Sequence, residues 1–178
     1  TVTVVQPKAV PDDATAKEKE RLRKVNDLLA EGVRKLNNRD YEGARRAFNQ
    51  VLELDPDNGQ AYAYLGKSHY DESPQDQVKV QAAVEASSKA VQKDPTLWLP
   101  HYTLGQIYDD KKNYDNAVRE YREAARLNPE DYLLLYRLGR VQYLSRQYSD
   151  ALQSFNSCIH LKPDFADAHF NKGHTLVR

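Results

Sequence analysis

The chain has 178 residues, the size of one ordinary domain. Its 26 Lys and Arg balance its 26 Asp and Glu, which argues against a nucleic-acid binder, because such proteins carry a basic excess. The longest apolar runs, as at 132–136, span five residues and cannot cross a membrane. The single cysteine, Cys158, excludes an intrachain disulfide framework.

Residues 1–11 contain Pro7 and Pro11 and show no helical period. Residues 1–13 are therefore read as an extended linker, and 14–178 as the folded domain. Methionine is absent, position 1 included, so a fragment or a processed chain is expected. No signal segment is visible, but a cleaved one leaves no trace. The compartment, cytoplasmic or extracytoplasmic, stays open. Asp12 and Asp13 can cap a helix, and acidic residues suit a helix start. From Ala14 to about Leu36 nothing breaks that helix. Its early part, Lys17-Glu18-Lys19-Glu20-Arg21-Leu22-Arg23-Lys24, alternates in charge and reads as a solvated face, with a docking role as the alternative.

Further along, three residue types share one spacing. Gly32, Gly66, Gly105, Gly139 and Gly173 are 34, 39, 34 and 34 residues apart. Pro56, Pro95, Pro129 and Pro163 are 39, 34 and 34 apart. Ala44, Ala83, Ala117 and Ala151 each precede one of those prolines by 12 residues. Small residues let two helices cross closely, and proline ends a helix because it lacks an N–H and pushes its predecessor out of helical geometry. Leu104, Ile107 and Tyr108 follow a helical period, as do Ala117, Tyr121 and Ala124 after a break at Lys111-Lys112-Asn113. Each unit thus reads as helix A, a short turn, helix B and a proline stop.

This pattern resembles the tetratricopeptide repeat, a helix–turn–helix unit of 34 residues. The units fall at about 25–58, 59–97, 98–131 and 132–165, with a half-unit from 166. The resemblance implies an all-α, right-handed superhelical solenoid of antiparallel helix pairs, with four full repeats plus one helix. The repeat's aromatic position holds Phe48, Ser87, Tyr121 and Phe155, and a nearby small position holds Val51, Ala90, Ala124 and Cys158. Ser87 departs from the pattern, so lighter packing is expected there.

The second unit is five residues too long, and the surplus lies between Gly66 and Ala83. Ser73-Pro74-Gln75-Asp76 looks like an N-cap, a first-turn proline and a capping acid. Helix B of this unit is predicted to start near Pro74 and to exceed its counterparts by more than one turn. A loop over 71–79 is the alternative. At the far end Phe170 and Leu176 would leave apolar surface on the last helix. Truncation of a longer array or pairing with another chain is favoured over a self-sufficient capping helix.

The resemblance places helix A of each unit on a concave inner wall. The candidate peptide-binding residues on that wall are Tyr64, Lys67, Tyr70, Tyr102, Gln106, Tyr136, Arg137, Arg140, Tyr143, Phe170 and His174. Tyrosine and arginine suit binding surfaces because they bury apolar area yet keep a polar handle. The subclass of these repeats that grips chaperone C-termini carries a set of Lys, Asn and Arg here met only by Arg137, so that role is not expected. The five histidines form no metal set, no catalytic or phosphate-binding motif appears, and Cys158 is expected to be buried and inert. No cofactor, metal site or catalytic residue is expected. The resemblance implies a non-enzymatic scaffold for a protein or peptide partner, without nucleic acid or a membrane span. Homo-oligomerisation through the terminal helices, or a regulatory region of a larger enzyme, are the rival readings.

Overall fold

A computed structural model describes residues 7–9, 11 and 14–178. Most of the predicted linker and both Asp12 and Asp13 lie outside the described residues. Among those residues the regular structure is entirely helical: nine helices and no strand. They fall into two compact units, one ending at Leu97 and the other running from Trp98 to Arg178.

The first unit holds α1 (Ala16–Asn37), α2 (Tyr41–Leu54), α3 (Gly59–Glu72) and α4 (Gln77–Lys93), each packed on the next. Helix α1 begins at a Thr15 cap whose hydroxyl accepts from the Glu18 N–H. It is 22 residues long against 14 for α2, so it projects beyond its pairing partner. Leu29 and Phe48 are fully buried between α1 and α2.

The second unit holds α5 (Trp98–Asp110), α6 (Tyr114–Leu127), α7 (Tyr132–Leu144), α8 (Tyr148–Leu161) and α9 (Ala166–Leu176), again in sequential contact. Its core gathers Ala117, Tyr121, Ala124, Leu134, Leu138 and Val141 between α6 and α7. Helices α2, α4, α6 and α8 all stop the same way. The residues before the four prolines, Asp55, Asp94, Asn128 and Lys162, take φ between −136° and −148°, the extended backbone that a following proline imposes.

Glycine explains how closely the pairs approach. A Cβ on Gly105 would stand 2.7 Å from the Tyr121 ring, and one on Gly139 would stand 2.7 Å from the Phe155 ring. Each glycine is thus a seat for the aromatic of the paired helix. A Cβ on Gly173 would meet nothing within 4 Å.

The 3-residue turns of the first, third and fourth repeats each have a left-handed middle residue: Arg39 (φ 62°), Lys112 (φ 56°) and Arg146 (φ 62°). The second repeat uses a different turn, and here the structure corrects the sequence reading. Ser73 is not the cap of α4. Residues 73–76 form a turn closed by Asp76 N–H to Ser73 C=O at 3.2 Å. Asp76 then caps the helix, accepting from Val78 N–H at 2.9 Å and from Lys79 N–H. Helix α4 has 17 residues against 14 in α2, α6 and α8, a surplus of three, less than one turn. Against the third repeat, the remaining two extra residues lengthen α3 and the turn by one each.

Packing around Ser87 is also tighter than expected, not lighter. A Cβ on Gly66 would stand 3.1 Å from the Ala83 carbonyl oxygen and 3.2 Å from the Ser87 nitrogen. With no ring to accommodate, α3 and α4 meet backbone to backbone, and Ser87 is fully buried.

Candidate functional site

Residues three, four and seven apart share a helix face. On α5 that rule aligns Tyr102, Gln106 and Asp109; on α7 it aligns Tyr136, Arg140 and Tyr143, with Arg137 beside them. The structure joins these two helices on that face. The Arg140 guanidinium pairs with the Asp109 carboxylate, and Arg137 lies over the Tyr102 ring, 5.8 Å from its centre. Asp109 is buried while Arg140 is partly exposed.

The electrostatics follow from depth. Burial raises the Asp109 pKa above the usual carboxylate range, against the pull of Arg140 and Arg137. Burial opposes the charge on Arg137 as well, but the neighbouring Tyr102 and Tyr121 phenols and Asp109 outweigh it and hold the guanidinium charged. The Gln106 side-chain oxygen is buried and has no hydrogen-bond partner among the described residues. Gln106, Arg137 and Arg140 each keep part of their surface exposed. The face therefore offers aromatic area and two guanidinium groups, one of them already paired with Asp109.

Helix α9 continues the series. Tyr136 accepts a hydrogen bond from the Asn171 side-chain nitrogen at 3.2 Å and packs edge-on to Phe165. Asn171 was not among the candidates, though it sits one residue after Phe170 on the same helix. Phe170 is 67% exposed, its ring 4.5 Å from that of His174. Tyr143 packs edge-on against Tyr148.

In the first unit the corresponding residues lie deeper. Tyr64, Lys67 and Tyr70 are all buried. Tyr64 stacks on Phe48 with ring centres 5.4 Å apart, and burial pushes its hydroxyl pKa up to about 12. Lys67 forms an ion pair with Asp71 one turn on. The helical period identified the face of α3 but not its depth.

Three of the five histidines have structural neighbours. His101 meets Glu120 at 2.9 Å across α5 and α6, and His169 reaches the Pro163 carbonyl at 2.8 Å. His69 sits beside a knot in which Glu72 pairs with Arg45 at 2.6 Å and Lys79 at 2.9 Å. Cys158 is fully buried, and burial raises its thiol pKa to about 11, which suppresses the reactive thiolate. Among the described residues no three His, Cys, Asp or Glu side chains gather as a metal site. No helix there is long and apolar enough to cross a membrane.

The model of the family described as "Tetratricopeptide repeat" matches residues 29–97 and 102–164. No curated protein matches the chain by sequence. Among solved structures the chain is similar to MamA, at 26% identity and a TM-score of 0.69, covering 87% of this chain and 82% of that one. It is also similar in fold to PilF of Pseudomonas aeruginosa, at 21% identity and a TM-score of 0.75 over 89% of this chain and 70% of that one. YrrB, described as "a TPR protein with an unusual peptide-binding site", shares 20% identity with a TM-score of 0.70 over 93% of this chain and 83% of that one.

Proposed function

Because the chain belongs to the tetratricopeptide repeat family, we propose that it is a non-catalytic interaction scaffold whose second unit takes a peptide or protein segment on the face formed by α5, α7 and α9. The observation that carries this reading is the cluster of Tyr102, Gln106, Arg137 and Arg140. It combines ring surface with partly exposed charged donors. Arg137 and Arg140 suit a carboxylate on the ligand, since guanidinium forks bind carboxylates bidentately. Pre-ordered helices lower the entropy cost of binding. The peptide-binding description of YrrB supports the choice of a peptide ligand.

The contribution of Tyr64, Lys67 and Tyr70 is an indirect one in this proposal, through packing that holds α3 in place. Pull-down with the purified chain, against a Tyr102→Ala/Tyr136→Ala variant and an Arg137→Gln variant, tests the reading. Partner capture is expected to be lost in both while helical circular dichroism is retained. Retention of the partner by both variants would place binding elsewhere.

A second reading rests on α9. Phe170, Leu176 and Val177 are 67%, 64% and 80% exposed. That surface suits self-association through the terminal helix. Sedimentation velocity over a wide concentration range separates the readings, because a monomer at every concentration removes the second.

A further inference from the structure

One polar arrangement in the first unit serves no helix of its own. Lys8, in the segment 7–9 ahead of α1, is held by its main chain. The Asn26 side-chain oxygen accepts from the Lys8 N–H at 3.1 Å, and the Asn26 side-chain nitrogen donates to the Lys8 carbonyl at 3.3 Å. A single carboxamide thereby satisfies both backbone groups of one residue. The Lys8 ammonium pairs with the Asp55 carboxylate.

Asp55 is built into the joint between the first two repeats. It is the C-cap of α2, and the Asn58 side-chain nitrogen donates to its Oδ2 at 2.9 Å. Asn58 is 1% exposed, and its own oxygen caps α3 by accepting from the Ala61 N–H at 3.0 Å. The carboxylate is thus aimed by a buried residue whose own side-chain oxygen caps α3. Burial works against the charge on Asp55, yet Lys8 and Asn58 hold its pKa below the ordinary value. Arg21 donates to the Leu54 carbonyl at 3.1 Å, tying the projecting part of α1 to the end of α2. Beside this tie lies a cavity of about 470 Å³ whose lining includes Arg21, Lys24 and Leu54.

The Asn–Asp combination is found in the first repeat alone, the second placing Gln60 and Asp94 at these positions. The residues matching Asn26 in later repeats are Gln60, Leu99, Leu133 and Asp167, and those matching Asp55 are Asp94, Asn128 and Lys162. No later repeat sets an asparagine with an aspartate.

We propose that Asn26, Asp55 and Asn58 form a second recognition site, a socket for an extended lysine-bearing segment, which residues 7–9 of this chain fill as an internal ligand. The division of labour is chemical. The Asn26 carboxamide reads main chain and is indifferent to side chain. The braced Asp55 selects a basic residue. The neighbouring cavity has room for side chains of a longer segment. A short tether gives the internal ligand an effective concentration of order millimolar, so an outside segment gains the socket only when the tail is displaced.

Trypsin tests occupancy on the full chain, because cleavage after Lys8 needs both its ammonium and its main chain. Asn26→Ala and Asp55→Asn are expected to raise cleavage at the Lys8–Ala9 bond by roughly tenfold or more, as the open population grows with the lost hydrogen bonds. Equal cleavage in all three proteins would overturn the proposal. A second measurement needs no change in the folded part. Lys8→Glu in the full chain ejects the tail by repulsion from Asp55. An acetylated peptide of residues 5–11 should then shift the Asn26 side-chain amide resonance, and the same peptide with glutamate for lysine should not. No shift with the first peptide, or an equal shift with both, would also overturn it.

Discussion

Ser87 meets Gly66 across α3 and α4 with its nitrogen 3.2 Å from where a glycine Cβ would stand. The aromatic that fills this place in the other repeats has no room here. Ser87→Phe, which restores the family pattern, is expected to destabilise the first unit by about 3 kcal/mol through overpacking. Ser87→Ala is expected to be neutral within about 0.5 kcal/mol or slightly stabilising, since the Ser87 hydroxyl is buried without a partner. Urea unfolding of the two variants checks both.

Gly139 and Gly173 occupy the same repeat position but not the same surroundings. Gly139→Ala drives a methyl into the Phe155 ring, at a net cost of about 1–2 kcal/mol after the better helix propensity of alanine is included. Gly173→Ala meets open space, so propensity alone acts and stability rises by up to about 1 kcal/mol. Opposite shifts in thermal midpoint are the expected result.

Arg140→Gln leaves Asp109 buried without its ion-pair partner. Arg140 is partly exposed, which moderates the cost to about 1–3 kcal/mol. The deficit should be larger at pH 7 than at pH 4, because a protonated Asp109 no longer needs a counter-charge. Asp109→Asn added to Arg140→Gln should recover most of the loss. Denaturation at the two pH values reads this directly.

His69 carries a pH signature. Burial first, then the charges of Arg45 and Lys79, lower its pKa below the ordinary 6.5, against the opposing influence of Glu72. The unfolded chain therefore takes up the proton before the folded one does. The stability tied to neutral His69 is fully present above about pH 6.5 and is lost as pH falls through the folded value. His69→Gln should flatten the pH dependence of unfolding in that window without changing stability at pH 8.

The repeat was legible because glycine, alanine and proline each do one geometric job at a helix crossing or a helix stop. The all-α repeat fold follows from their shared spacing. The start of α4 was not legible, since Ser73 and Asp76 are both good caps. Asp76 prevails because its carboxylate reaches the N–H groups of both Val78 and Lys79. On the candidate face, spacing aligned Tyr136 with Arg140, yet it could not tell the partly exposed Arg137 from the buried Lys67. Depth depends on what covers a helix, and the period of a single helix carries no such information. The Asn26 contact to Lys8 lay beyond any repeat logic, since one of its partners is outside the repeats.

Arg39, Lys112 and Arg146 point into solvent, yet each holds a left-handed backbone that disfavours branched side chains. Glycine or asparagine would be accepted at these three places, while valine or isoleucine would be refused. Surface accessibility therefore misjudges mutational tolerance in this molecule: its least forgiving solvent positions are set by the hand of a turn.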